Sequence, residues 1–229
     1  MEFNIIDWGK IDYLKAWEEQ KKLLQLRIDD KIPDTLIFCE HPAVVTLGRG
    51  SQREKESLGH LPFPAIEVER GGHATYHGPG QIVVYPIVKL APSKATQFPD
   101  GLKSFIEWLE NITIKSVEDF KIPASRIEGK TGVWIRNGEK KIASIGVAVK
   151  HWTTYHGLAL NISTGIEPWR FINPCGFSAE IMTDLNSETG LDISFNDVKN
   201  LIINNATSPL VNILKTKAVN SIKSCELHS

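Results

Sequence analysis

The stretch that most restricts the fold is "GVWIRNGEKKIASIGVAVK", residues 132–150. Asn137-Gly138 lies between two runs rich in Val, Ile and Ala, and this dipeptide supplies the positive φ angles of a tight hairpin turn. So short a connection makes the two runs antiparallel neighbours. Strict alternation along the second run predicts that Lys141, Ala143, Ile145, Val147 and Val149 share one face. Further strand-like runs are "DTLIFCE", "AVVTLG", "AIEVER", "QIVVYPIVKL" and "TYHGLALNIS", with His41-Pro42 marking a turn between the first two. Helical spacing runs from Ile11 to Leu26, then along "GLKSFIEWLENITIK", which Asp100 is expected to cap. A late segment, "SFNDVKNLIINNA", is expected to be capped by Ser194. Residues 51–64, charged and then proline-rich, read as a surface loop. Strands outnumber helices and occur in consecutive groups. The expected class is therefore α+β, with a mixed, largely antiparallel sheet and flanking helices, and not a doubly wound fold.

Size and charge narrow the function. A chain of 229 residues, 41% of them hydrophobic, can bury a sizeable core. Lys plus Arg (26) and Asp plus Glu (27) nearly cancel, so there is no basic excess to neutralise a nucleic-acid backbone or an anionic membrane. No nucleic-acid and no membrane partner is expected. No apolar run is long enough to span a bilayer, and the first residues lack the layout of a secretory or transit signal. Cys39, Cys175 and Cys225 are too scattered for a disulfide framework or a Cys-x-x-Cys metal site, which points to the reducing cytosol and a cytoplasmic location.

The densest group of polar and glycine residues is "RGGHATYHGPGQIVVYPI", residues 70–87. It satisfies neither the P-loop nor the dinucleotide fingerprint: Gly78-Pro79-Gly80 leads into a strand, with Val83 where a third glycine would be needed. His73 and His77, four apart, would share a face only on a helix, and the flanking glycines argue against one, so no metal site is expected. A glycine-rich turn with satisfied histidines is the plain alternative.

Among the thiols, Cys39 in "TLIFCE" reads as a small buried hydrophobe. Cys175 in "INPCGFS" sits between proline and glycine, a tight connection that suits a nucleophile and equally suits an inert loop cysteine. A nucleophilic thiol needs a partner that raises its thiolate fraction. His77, His156 and Lys141 are the candidates. Lys141 opens an apolar strand, so an ammonium there can be partly buried and favour a thiolate by Coulomb attraction, whereas Lys140 reads as a solvated strand-end residue.

"EHPAVVTLGR", "RGGHATYHGPGQIVVYPI", "GVWI", "KIASIGVAV", "HGLALNI" and "NPCG", in this order and spacing, resemble the lipoyl(octanoyl) transferases over roughly residues 3–190. The resemblance implies a domain like the catalytic domain of biotin and lipoate protein ligases, spanning residues 1–215, with 216–229 as a partly ordered tail. It implies an acyltransferase that moves an octanoyl or lipoyl group from acyl carrier protein to a lysine ε-amine. The acceptors would be lipoyl domains of 2-oxoacid dehydrogenase complexes and the glycine-cleavage H protein. No cofactor and no metal is implied, because thioester exchange and aminolysis need no nucleotide. By the same resemblance Cys175 holds the acyl chain as a thioester and Lys141 is its partner. Substrate binding falls to Arg70, Gly71, Gly72, His73, Ala74, Thr75, Tyr76 and His77, to Ser144, Ile145 and Gly146, and to Gly157, Leu158 and Ala159. An acyl chain needs a slot free of side chains, which would account for Gly71, Gly72, Gly78 and Gly146. At His73 relatives commonly carry Gln or Asp. The competing readings are an ATP-dependent lipoate or biotin ligase on the same fold and a non-catalytic acyl-carrier-binding module.

Overall fold

The computed structural model describes residues 2–53, 61–90, 98, 100–172 and 178–208. In chain order, β1 (Asn4–Lys10) leads into α1 (Tyr13–Ile28), then β2 (Thr35–Glu40), β3 (Val44–Leu47), β4 (Ala65–Glu67), β5 (Ala74–His77) and β6 (Gln81–Ile87). α2 (Leu102–Glu118) follows, then β7 (Ala124–Ile127), β8 (Lys130–Ile135), β9 (Lys140–Lys150) and β10 (Thr153–Asn161), and finally α3 (Leu185–Thr189) and α4 (Phe195–Thr207).

Seven strands form one sheet in the order β1-β2-β6-β10-β9-β8-β7, and β4-β3-β5 form a second, smaller one. Within the large sheet β1 and β2 run parallel and every other neighbouring pair runs antiparallel. The class is α+β with a mixed, mostly antiparallel sheet, as expected. The Asn137-Gly138 turn joins β8 to β9, with positive φ at Arg136, Asn137 and Gly138.

The two faces of the large sheet are covered differently. On one, Leu36, Phe38, Ile82, Val84, Leu158 and Leu160 pack against Phe105, Trp108 and Leu109 of α2 and against Val198 and Ile202 of α4. On the other, Ile37, Cys39, Val83, Tyr85, Ala148 and Ala159 pack against Ala16 and Leu24 of α1. The alternation of β2 and β6 sends successive residues to opposite cores, so both strands read as unbroken apolar runs.

Helix starts follow local chemistry. Asp12 accepts from the Leu14 and Lys15 N–H groups, and Ser194 accepts from the Asp197 N–H at the start of α4. Asp100, expected to cap α2, does not: the cap position is Gly101, at φ +59, with no side-chain hydrogen bond. A left-handed turn there brings the chain into the helix from a direction in which glycine, and not a capping carboxylate, is required.

One departure from the expected pattern matters for function. The β8–β9 register slips between Val133, opposite Ala143, and Trp134, opposite Lys141, which leaves Ile142 as an extra residue. Ile142 and Ala143 consequently both enter the α2/α4 core. This bulge corrects the predicted facing of Lys141: it turns away from Ala143 and Val147 and joins Ser144 and Gly146 on the opposite side.

Candidate active site

A cleft opens on the α1 side of the large sheet, between β9, β10 and the small sheet, and encloses about 490 Å³ including its mouth. Arg70, Gly72, His73, Thr75 and His77 of the glycine-rich segment line it, with Lys141, Ser144, Ile145 and Gly146 of β9 and Gly157, Leu158 and Ala159 of β10. Gly71, Ala74 and Tyr76 do not. Alternation along β5 sends Thr75 and His77 to the cleft, while Ala74 and Tyr76 face a separate core with Trp169 and Met182. Gly71 instead donates its N–H to the Val147 carbonyl at 3.0 Å, tying the segment to β9. His156, a candidate thiol partner by residue type, also lines the cleft, as do Tyr13, Val83 and Tyr85, which are not among the expected site residues.

Close approach of backbones explains the glycines of the cleft wall. A Cβ at Gly157 would lie 2.1 Å from the Val84 carbonyl oxygen, and one at Gly146 would meet Arg70 Cδ at 3.0 Å and the Gly71 oxygen at 3.1 Å. Gly78, expected to make room for a chain, has a different cause: a Cβ there would strike the Tyr76 ring, away from the cleft.

Arg70 is buried and spans the wall. Its Nη2 donates to the Thr46 carbonyl and Oγ1, both at 2.8 Å, and its Nη1 to the Gly71 carbonyl at 3.0 Å. Nearby, Tyr13 stacks on His77 with ring centroids 5.8 Å apart, and His77 Nδ1 bonds the Gln81 side chain at 2.8 Å. Gln81 in turn donates to Asn161 at 2.9 Å, and Asn161 donates to the Thr183 carbonyl. His41 hydrogen-bonds Tyr85 at 2.7 Å behind this layer.

His156 is the strained member. It lies within β10 at φ +56, a left-handed conformation that costs a non-glycine residue about 1–3 kcal/mol. Its N–H turns to the Gln20 side-chain oxygen of α1 at 2.9 Å. Burial, then the nearby charges of His41 and Arg70, lowers the His77 pKa to about 3, and burial followed by Arg70 does the same for His156. Both rings are neutral at physiological pH and poor proton acceptors. The 3.7 Å contact of His156 Nε2 with Glu69 is therefore no ion pair, and it is too long for a hydrogen bond.

Lys141 has different surroundings. It is 2% exposed, its Nζ donates to the Thr131 carbonyl at 2.9 Å, and it lies 5.4 Å from the Trp134 ring centroid. Cys39 is fully buried beside His41, where burial pushes its thiol pKa far up, so it is no candidate nucleophile. Cys175 and Cys225 lie outside the described residues.

With α2 and α4 on one face of the seven-stranded sheet, and α1 and a cleft under the small sheet on the other, the chain is an α+β domain. Over 90% of the chain the fold matches the bipartite lipoate protein ligase of Thermoplasma acidophilum, covering 82% of that chain at a TM-score of 0.64. Over 95% it matches the biotin protein ligase of Aquifex aeolicus, covering 72% of it at 0.55. Sequence identities of 16% and 14% make these likenesses of fold. The chain belongs to the lipoyl protein ligase A/B catalytic domain family, which it matches over residues 12–207. It is 39% identical to the octanoyltransferase of Syntrophobacter fumaroxidans over 85% of this chain and 84% of that one. It is 40% identical to the octanoyltransferase of Caldicellulosiruptor bescii over 86% and 87%.

Proposed function

We propose that the chain transfers an octanoyl group in protein lipoylation through a thioester on Cys175, with Lys141 as the cationic and proton-relaying partner of that thiol. The acyltransferase class follows from the family and from relatives named octanoyltransferase at 36–40% identity. The observation that carries the mechanism is Lys141: a buried ammonium turned into a cleft in which His77 and His156 are held neutral.

In the proposed cycle the Cys175 thiolate attacks the carbonyl of a carrier-bound octanoyl thioester. A new C–S bond forms, the carrier's C–S bond breaks, and the carrier thiolate leaves, taking its proton from the Lys141 ammonium. Backbone N–H groups near Gly146 or Cys175 hold the oxyanion. The ε-amine of a lysine on a lipoyl domain then attacks the acyl-enzyme; the C–N bond forms as the C–S bond breaks, and Lys141 relays the amine proton to the departing thiolate. Acyl carrier protein as donor and lipoyl domains, including those of 2-oxoacid dehydrogenases and the H protein, as acceptors are part of this reading. So are a cytoplasmic setting and a single catalytic unit over residues 1–215; residues 209–229 lie outside the described part. Among the described residues no helix is long and apolar enough to cross a membrane.

Intact mass spectrometry after incubation with octanoyl-acyl carrier protein tests the proposal. A hydroxylamine-labile octanoyl adduct is expected on the native chain and not on Cys175→Ser. Persistence of the adduct in that variant removes Cys175 from the role. Transfer from free octanoate that requires ATP would favour the ligase reading, and reversible binding without transfer would favour a carrier-binding module.

A further inference from the structure

The Lys141 ammonium is held by one side of a single peptide unit, and a carboxylate holds the other side. Thr131 gives the carbonyl that accepts from Lys141 Nζ at 2.9 Å. The N–H of the same peptide bond, that of Gly132, donates to Glu110 Oε1 of α2 at 3.0 Å. Because a trans peptide points its N–H and C=O in opposite directions, Glu110 and Lys141 grip this unit from opposite sides. Both end groups are buried, Glu110 at 7% exposure and Lys141 at 2%.

Gly132 makes the arrangement sterically possible. It sits at φ +127, where a side chain is strained, and a Cβ would lie 2.7 Å from Lys141 Cε and 2.5 Å from the Ala143 carbonyl oxygen. A carboxylate accepting from the N–H draws electron density toward the carbonyl, and hydrogen bonds in such a chain strengthen one another where water is excluded. The neighbouring charges are Glu107 on α2 and Arg126 on β7 beside Glu110, Lys130 over the Trp134 ring, and Arg70 across the cleft from Lys141.

We propose that Glu110 is a positioning residue for Lys141, acting through the Thr131–Gly132 peptide to hold the ammonium toward the cleft. This rests on the reading of Lys141 as the partner of the Cys175 thiol, and extends it to a residue of α2 that does not line the cleft. Reach matters more than charge: the carboxylate must meet the Gly132 N–H for the carbonyl on the other side to be fixed.

The test compares Glu110→Ala, Glu110→Asp, Glu110→Gln and Lys141→Ala. The readouts are octanoyl transfer, the pH midpoint of Cys175 alkylation and thermal stability. Glu110→Asp keeps the charge but is one methylene too short, and Glu110→Gln keeps the reach without the charge. Glu110→Ala and Glu110→Asp are expected to lose about tenfold in transfer rate, the scale of one hydrogen bond to a charged group, with a raised alkylation midpoint. Glu110→Gln should recover most of both. In a Lys141→Ala background, Glu110→Ala should move the midpoint no further, which a general loss of stability would not reproduce. Native midpoints and rates in both Glu110→Asp and Glu110→Ala, or an undiminished shift in the Lys141→Ala background, would overturn the inference. Should Glu110→Ala not fold, the Asp and Gln pair decides alone. An unchanged midpoint in Lys141→Ala itself would instead remove the underlying role of Lys141.

Discussion

Two buried polar groups share one cleft and are built on opposite principles. At the His77–His156 end, burial and the Arg70 charge keep both imidazoles neutral; stacking on Tyr13 and the Gln81–Asn161 bonds hold His77, and the Gln20 side chain holds the His156 backbone. At the Lys141 end, a peptide carbonyl and an indole face surround an amine drawn in from the strand edge. If the cleft acts as proposed, the contrast would let one site serve both an apolar chain and an ionic reaction. At the histidine end neutral rings line the space beside the hydrogen-bonded Arg70 guanidinium, and under the proposed function the lysine serves the thiol chemistry.

The comparison is broken most severely at the lysine. Lys141→Ala should lower octanoyl transfer by about 10²–10⁴-fold, the usual contribution of a positioned acid–base group, with little change in the folded state measured by circular dichroism. The next largest effect falls on the histidines. Their ordinary pKa of about 6.5 applies in the unfolded chain, whereas the folded values are about 3. The unfolded chain therefore takes up protons first, and the stability these two groups allow is complete above pH 6.5 and lost as pH falls toward 3. Between pH 7 and pH 5 each should cost about 2 kcal/mol, so a urea-midpoint series should show a drop of about 4 kcal/mol before most carboxylates titrate. A flat profile over that range would mean that the rings titrate in the fold as they do in the unfolded chain.

Gly157→Ala is expected to cost about 1–3 kcal/mol through the collision with the Val84 carbonyl, read as a lowered denaturation temperature. The smallest effect sharpens the contrast. His156→Asn suits a left-handed backbone and should remove about half of the acid sensitivity while changing stability at pH 8 by only about 1 kcal/mol.

Much of the framework was legible in the sequence. The Asn137-Gly138 hairpin, the apolar runs that became β2, β3, β6 and β10, and the Ser194 cap depend on neighbours close in the chain, which short-range rules describe. β1 was not seen, because its side chains are mostly exposed and it is held as an edge by parallel pairing with β2. β5 was hidden inside the glycine-rich segment, where turn residues mask four residues of alternation.

In the site, the glycines and Lys141 stood out by residue type. Tyr13, Val83 and Tyr85 did not, since each belongs to an ordinary helical or strand pattern and meets the cleft only when α1 packs on the sheet. The facing of Lys141 was misread because period-two alternation cannot register a bulge. His156 stands out as a candidate thiol partner, but its left-handed backbone and the bond from its N–H to Gln20, 136 residues away, cannot be read from its own segment.

The extra residue at Ile142 also determines what kind of genetic change the site can survive. Side chains along β9 can be exchanged one at a time with local consequences. Deleting Ile142 would restore regular pairing with β8 and leave the lysine opposite Trp134 on the cleft side, whereas regular alternation of the undeleted strand would turn it into the α2/α4 core. That strand should therefore bear the loss of this one residue more readily than a substitution that irons out the bulge at constant length, since only the second change turns the lysine away from the cleft.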